Sequence, residues 1–106
     1  MENYSFNLDH LNKIKKQHPD IKMIFVTHLL GFSAQNDIYQ KIFPNALIID
    51  DVCESHGATH NGQKLGSFGW VSNFSFYYAH HMSTIEGGMV CTNDPEVYQQ
   101  RSEERR

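Results

Sequence analysis

Two short stretches hold nearly all the side chains able to move a proton, bind a metal or attack a carbonyl. One is Asp50-Asp51-Val52-Cys53-Glu54-Ser55-His56; the other runs from Ser75 to Gly88 and contains His80, His81 and Glu86. An acidic pair, a thiol and a histidine facing a second histidine pair are donor types that zinc and similar ions take. Their spacing fits no compact zinc motif, so no metal site is expected. Cys53 with His56 one turn on reads as a nucleophile and base, but the pattern supplies no oxyanion hole. The plain alternative makes the aspartates caps of a helix after a strand, with His80 and His81 as loop residues bonded to backbone.

The elements around these stretches have a recognisable order. Leu8, Leu11 and Ile14 recur at helical spacing behind a cap at Asn7, predicting a helix over Asn7 to Gln17 that His18-Pro19 ends. Ile21 to Thr27 is a continuous apolar run, as in a strand buried on both faces of a parallel sheet. Ile38, Tyr39, Ile42 and Phe43 give a short helix stopping before Pro44, and Ala46 to Ile49 forms the next buried strand, ending at Asp50-Asp51. Strand, helix, strand implies parallel pairing with a right-handed crossover, hence an α/β sheet, and ligands of open α/β sheets gather at the carboxyl ends of strands. Val71 to Tyr78 is rich in aromatic and β-branched residues and predicts another strand. Gly87-Gly88 introduces a last strand, Met89 to Thr92, and Asp94-Pro95 caps a closing helix. Three central strands are therefore expected near residues 22–27, 46–50 and 72–77.

Size and charge narrow the classes. A chain of 106 residues with 40% hydrophobic content suits one modest unit. A net charge of -3 offers no long-range attraction to nucleic acid or anionic membranes. No apolar run approaches the roughly 20 residues of a bilayer span, and the start lacks a signal-peptide centre, so the expectation is a cytoplasmic chain. Cys53 and Cys91 carry no redox or ligand spacing and are expected as reduced, buried thiols.

The segment IIDDVCESHGATHNGQKLGSFG, followed by NFSFYYAHHMSTIEGGMVCTND, resembles the sugar aminotransferase family of pyridoxal-phosphate enzymes named for DegT, DnrJ, EryC1 and StrS. That family opens one segment as D-x-x-Q-x-x-G and places S-F-x-x-x-K before E-G-G. The matches run from about Val26 to Asp94. The resemblance implies the aspartate-aminotransferase fold (type I): an α/β large domain with a mostly parallel central sheet and flanking helices. It also implies that residues 1–106 are a partial catalytic domain, with the phosphate-loop segment and the small domain absent, and that the full-length form is a homodimer.

Carried over position by position, Asp51 matches the aspartate that pairs with the cofactor's pyridinium nitrogen, since Gly57 follows at the family spacing. Ser75 matches the serine on the cofactor phosphate; its plain reading is a buried strand serine bonded to backbone. The lysine position, five residues after Ser75 and six before Glu86, holds His80. Only a primary amine forms an imine with pyridoxal phosphate, and no lysine follows Lys64. Imidazole, with an ordinary pKa of about 6.5, instead suits proton transfer. Glu54 stands where most members have Gln, which marks the same Lys-to-His subgroup, the sugar 3-dehydratases. That likeness implies pyridoxamine 5'-phosphate as working cofactor, a GDP-linked 4-keto-6-deoxyhexose as substrate, glutamate as amino donor, and His80 as the base. A conventional nucleotide-sugar aminotransferase and an inactive fragment are the alternatives.

Overall fold

A computed structural model describes residues 4–103, with side chains through Arg101. Helix α1 spans Leu8–Gln17, and the Asn7 side chain accepts from the His10 N–H as its cap. Strand β1 (Met23–Thr27) leads through a single 3-10 turn at Leu29–Gly31 to α2 (Asn36–Ile42), then β2 (Leu47–Asp51). A two-residue hairpin follows, β3 (Thr59–His60) with β4 (Gln63–Lys64), turning at Asn61-Gly62, where both residues have positive φ. Strands β5 (Val71–Ser75) and β6 (Gly88–Thr92) and helix α3 (Pro95–Glu103) complete the described residues.

The main sheet has the order β1-β2-β5-β6. The first three strands are parallel, and β6 returns antiparallel beside β5. The α/β reading with a mostly parallel centre is therefore observed. β5 stops at Ser75, short of the expected Tyr78, because the backbone beyond it turns: the Phe76 N–H bonds to Gly87 O and the Thr84 N–H to Phe76 O, closing a loop on itself. The hairpin at 59–64 was not expected, being polar and only two residues deep.

The core sits on one face of the sheet, where Val26 and Ile48 meet Leu11 of α1, Ala34, and Tyr39 and Phe43 at α2. Each large apolar side chain buried there contributes roughly 1.5–3 kcal/mol. The opposite face corrects the expectation of strands covered on both sides: Met23, Phe25 and Leu47 are 50%, 54% and 41% exposed. The apolar run reflects sequence composition on both faces, whereas α1 and α2 pack on one. Cys53 and Cys91 are free thiols but only half buried, not fully as expected: Cys53 lies in the turn after β2 and Cys91 on the edge strand β6.

Candidate functional site

Because β1, β2 and β5 are parallel, their carboxyl ends share one edge, and the register aligns the last residues of β1 and β2 with Asn73, two residues before the end of β5. Thr27 pairs with Asp51, and Asp51 with Asn73. Directly paired residues point to the same face, so these three side chains form a row. The Thr27 hydroxyl donates to Asp51 Oδ2 at 3.3 Å, and Asn73 Nδ2 donates to Asp51 Oδ1 at 3.1 Å. A third donor, the Cys53 N–H, reaches Oδ1 at 3.2 Å, so Asp51 folds the chain into a turn after β2 and caps no helix. Ser75 lies two residues past Asn73 and so on the same face. Its Oγ accepts from the Tyr77 N–H at 3.2 Å, which leaves the hydroxyl proton free to donate.

Asp50 points the other way and is fully buried. Its Oδ1 takes Asn36 Nδ2 and faces His28 Nε2 at 3.4 Å, and its Oδ2 accepts from the Gly69 N–H at 2.9 Å. His28 Nδ1 accepts from the Ala34 N–H at 3.1 Å, so the ring proton sits on Nε2, toward Asp50. Asp50 thus ties α2, the loop after β1 and the segment before β5 together on the covered face of the sheet.

The loop carrying His28 also organises the next candidate. Leu30, in the left-handed region at φ 52°, donates its N–H to Glu54 Oε2 at 3.2 Å, while Ser55 Oγ accepts from the Gly31 N–H at 3.1 Å and donates to His28 O. Glu54 and Leu30 then line a cleft of about 340 Å³ together with Ala79, His80 and His81. His80 is half buried in it, its N–H held by Tyr77 O at 3.0 Å and its ring edge-on to those of Tyr77 and His56, at 5.9 and 6.4 Å between centroids. The four expected site residues thus fall into two pairs, Asp51 with Ser75 on one sheet face and Glu54 with His80 across one cleft. Among the described residues no direct contact joins Asp51 to His80. A larger groove of about 440 Å³ between β5, β6 and α3 shares only Asn73 with this set.

Two neighbours change how the alternatives stand. Burial, reinforced by the hydrogen bond and negative charge of Asp51, raises the Cys53 thiol to about 11, which disfavours the thiolate a nucleophile needs. His56 does not serve Cys53: its ring lies against Phe74 and Phe76, and both its nitrogens are buried without a partner. Burial, then the proximity of His81 and His80, lowers its pKa. Among the described residues no group of three or more His, Cys, Asp or Glu side chains is placed to hold a metal ion. Thr27, Asn73 and Leu30 escaped the sequence reading; the parallel register of three apolar runs was the signal that could have found the first two.

Compared with known proteins, the sequence matches the DegT/DnrJ/EryC1/StrS aminotransferase family over residues 1–103. It is 37% identical over 97 residues to a GDP-4-keto-6-deoxy-D-mannose 3-dehydratase of Escherichia coli O55:H7, covering 89% of this chain and 25% of that enzyme. It is equally 37% identical, over 95 residues, to a GDP-perosamine synthase of Caulobacter vibrioides, covering 88% of this chain and 26% of the relative. The solved structure of E. coli GDP-4-keto-6-deoxy-D-mannose-3-dehydratase with bound hydrated PLP superposes with a TM-score of 0.75 at 37% identity, over 84% of this chain and 24% of that one. The chain therefore spans about a quarter of the length of these relatives.

Proposed function

The chain belongs to the DegT/DnrJ/EryC1/StrS aminotransferase family, and from that premise we propose that it is part of the large catalytic domain of a pyridoxal-phosphate-dependent sugar-nucleotide 3-dehydratase. The observation that carries this reading is His80, an imidazole in the family's lysine position, sharing a cleft with Glu54. Identity does not separate dehydratase from aminotransferase here, since both relatives stand at 37%. The chemistry of position 80 supports the dehydratase reading: a tethered transamination needs a primary amine there, and imidazole cannot form the link.

The residues present fit the cofactor. Asp51 has a carboxylate oxygen, Oδ2, whose one N–H or O–H donor is the Thr27 hydroxyl, and Ser75 has a hydroxyl proton to give to a phosphate oxygen. When bound, pyridoxamine 5'-phosphate supplies an amine that joins the sugar's C4 ketone and a ring that accepts electrons. Asp51 would hold that ring's nitrogen protonated, and Ser75 would fix the phosphate end. Glu54, with Oε2 tied to the Leu30 N–H, keeps Oε1 for the cleft. His80 would take the proton from the cofactor's C4′ carbon, the step that precedes loss of the sugar's C3 hydroxyl as water. The substrate we propose is GDP-4-keto-6-deoxymannose, with glutamate restoring the amine, in a cytoplasmic homodimer. No helix among the described residues is long and apolar enough to cross a membrane.

Absorbance between 340 and 430 nm with added pyridoxal phosphate, before and after borohydride, tests the absence of a tether. The wild-type protein should bind cofactor without a reducible covalent link, and His80→Lys should create one. A reducible adduct in the wild type would favour the aminotransferase reading.

A further inference from the structure

We propose that Thr27 and Asn73 are positioning residues for Asp51, holding its carboxylate so that the remaining lone pair of Oδ2 is the one offered to a cationic ring N–H. The inference rests on the reading above, in which Asp51 pairs with the cofactor's ring nitrogen. It starts from topology. The last residue of β1 and the last of β2 are register partners, and Asn73 of β5 completes the row, so no rotation of the strands is needed to bring the three together. A carboxylate has about four acceptor directions. Oδ1 already takes two N–H donors, Asn73 Nδ2 and the Cys53 N–H, whereas Oδ2 takes a single strong donor, the Thr27 hydroxyl; the Cys53 thiol, a weak donor, is the other neighbour of the carboxylate.

Asn73 shows which way this arrangement is biased. Its amide nitrogen serves Asp51 Oδ1 and Cys53 Sγ, at 3.1 and 3.2 Å, while its own Oδ1 is buried with no partner. Turning the amide over would place two acceptor oxygens against each other at Asp51. The orientation that leaves an acceptor unpaired is thus the one that serves the carboxylate. Thr27 is exposed, and its hydroxyl approaches from the far side of the row. The two donors bracket the carboxylate in the plane of the sheet, which fixes its rotation as well as its position.

The test uses the protein as its gene encodes it, with pyridoxamine 5'-phosphate as the probe. Two readouts are taken: cofactor affinity, and the pH midpoint of the absorbance change that reports protonation of the bound ring nitrogen. N73A should weaken binding about tenfold and T27V about threefold, in keeping with the net worth of single hydrogen bonds that act on the cofactor only through Asp51. Both should lower the ring-nitrogen midpoint, because a loosely held carboxylate stabilises the pyridinium less. T27S should restore both readouts to within about twofold of wild type, since it returns the hydroxyl. A T27V protein with unchanged midpoint, alongside a D51N protein that loses binding, would overturn this inference and leave the role of Asp51 intact. If D51N itself binds with unaltered affinity and spectrum, the reading of Asp51 fails and this one with it. Where N73A folds poorly, the T27V and T27S pair decides alone.

Discussion

The carboxyl edge of the parallel strands and the loop from Phe76 to Gly87 are built on different terms. At the edge, Asp50 and Asp51 are bonded to α2, to β1, to β5 and to the segment before β5, and Asp50 is fully buried. In the loop, the chain is held by backbone bonds such as Thr84 N–H to Phe76 O, and residues 81 to 87 are all exposed. Stability resides in the edge, and the proton-transfer chemistry we propose resides in the loop. A preorganised carboxylate needs a rigid support, whereas a base that must reach a substrate atom needs access.

The contrast breaks first at Asp50 if it is wrong. Asp50→Ala removes the acceptor shared by His28, Asn36 and the Gly69 N–H, and should cost about 3–5 kcal/mol, because buried polar partners are left unpaired. Urea unfolding measures it, and a loss under about 1 kcal/mol would show that the edge is not the stabilising region. Gly69→Ala should cost about 1–3 kcal/mol, since an added Cβ would lie 2.6 Å from Ile48 O and 3.0 Å from Asp50 Oδ2. Away from both regions, Asn7→Ala should cost about 1 kcal/mol through the lost cap of α1. His80→Asn, in the loop, should change stability by less than about 0.5 kcal/mol.

His56 sharpens the comparison through pH. Its pKa is lowered in the folded chain by burial, then by His81 and His80, so the folded state resists the proton that the unfolded chain accepts near pH 6.5. Its contribution to stability is complete above that value and falls as pH drops through it toward the depressed folded pKa. A thermal-unfolding series from pH 8 to 5 should show this decline, and His56→Phe, which keeps the ring against Phe74 and Phe76, should flatten it. An equally steep decline in the variant would place the titration elsewhere. Asp94 behaves in the same sense, over the lower range where carboxylates titrate. The Trp70 Nε1–H and then the N–H groups of Glu96 and Val97 hold its carboxyl low, so its support of α3 persists above the ordinary aspartate range and is lost as pH falls through the folded value.

What could be read from the sequence differed between the regions for physical reasons. β1, β2 and α1 follow from apolar periodicity and an Asn cap, and Asp51 follows from its place at a strand end. Thr27 and Asn73 did not emerge, because a strand's partner is a long-range property that no local pattern states. The covered and open faces of β1 could not be told apart for the same reason: Val26 and Phe25 are both apolar, and only the placement of α1 and α2 buries one and exposes the other. The hairpin at Thr59–Lys64 was hidden by its polarity, although Asn61-Gly62 marks its turn. His80 became legible through spacing to Ser75 and Glu86, and its cleft with Glu54 and Leu30 needed the fold.

The central claim is that His80 acts as a base in a place where the family tethers its cofactor. It is tested most directly by the rate of 3-deoxy-sugar formation from GDP-4-keto-6-deoxymannose, with glutamate and pyridoxamine 5'-phosphate present, in His80→Asn and His81→Asn variants of the protein as its gene encodes it. General-base catalysis is typically worth roughly 100- to 10,000-fold, so His80→Asn should lose about that much turnover while retaining cofactor, and His81→Asn should stay near wild type. A His80→Asn variant that keeps its rate, whether or not His81→Asn loses its own, would contradict the account.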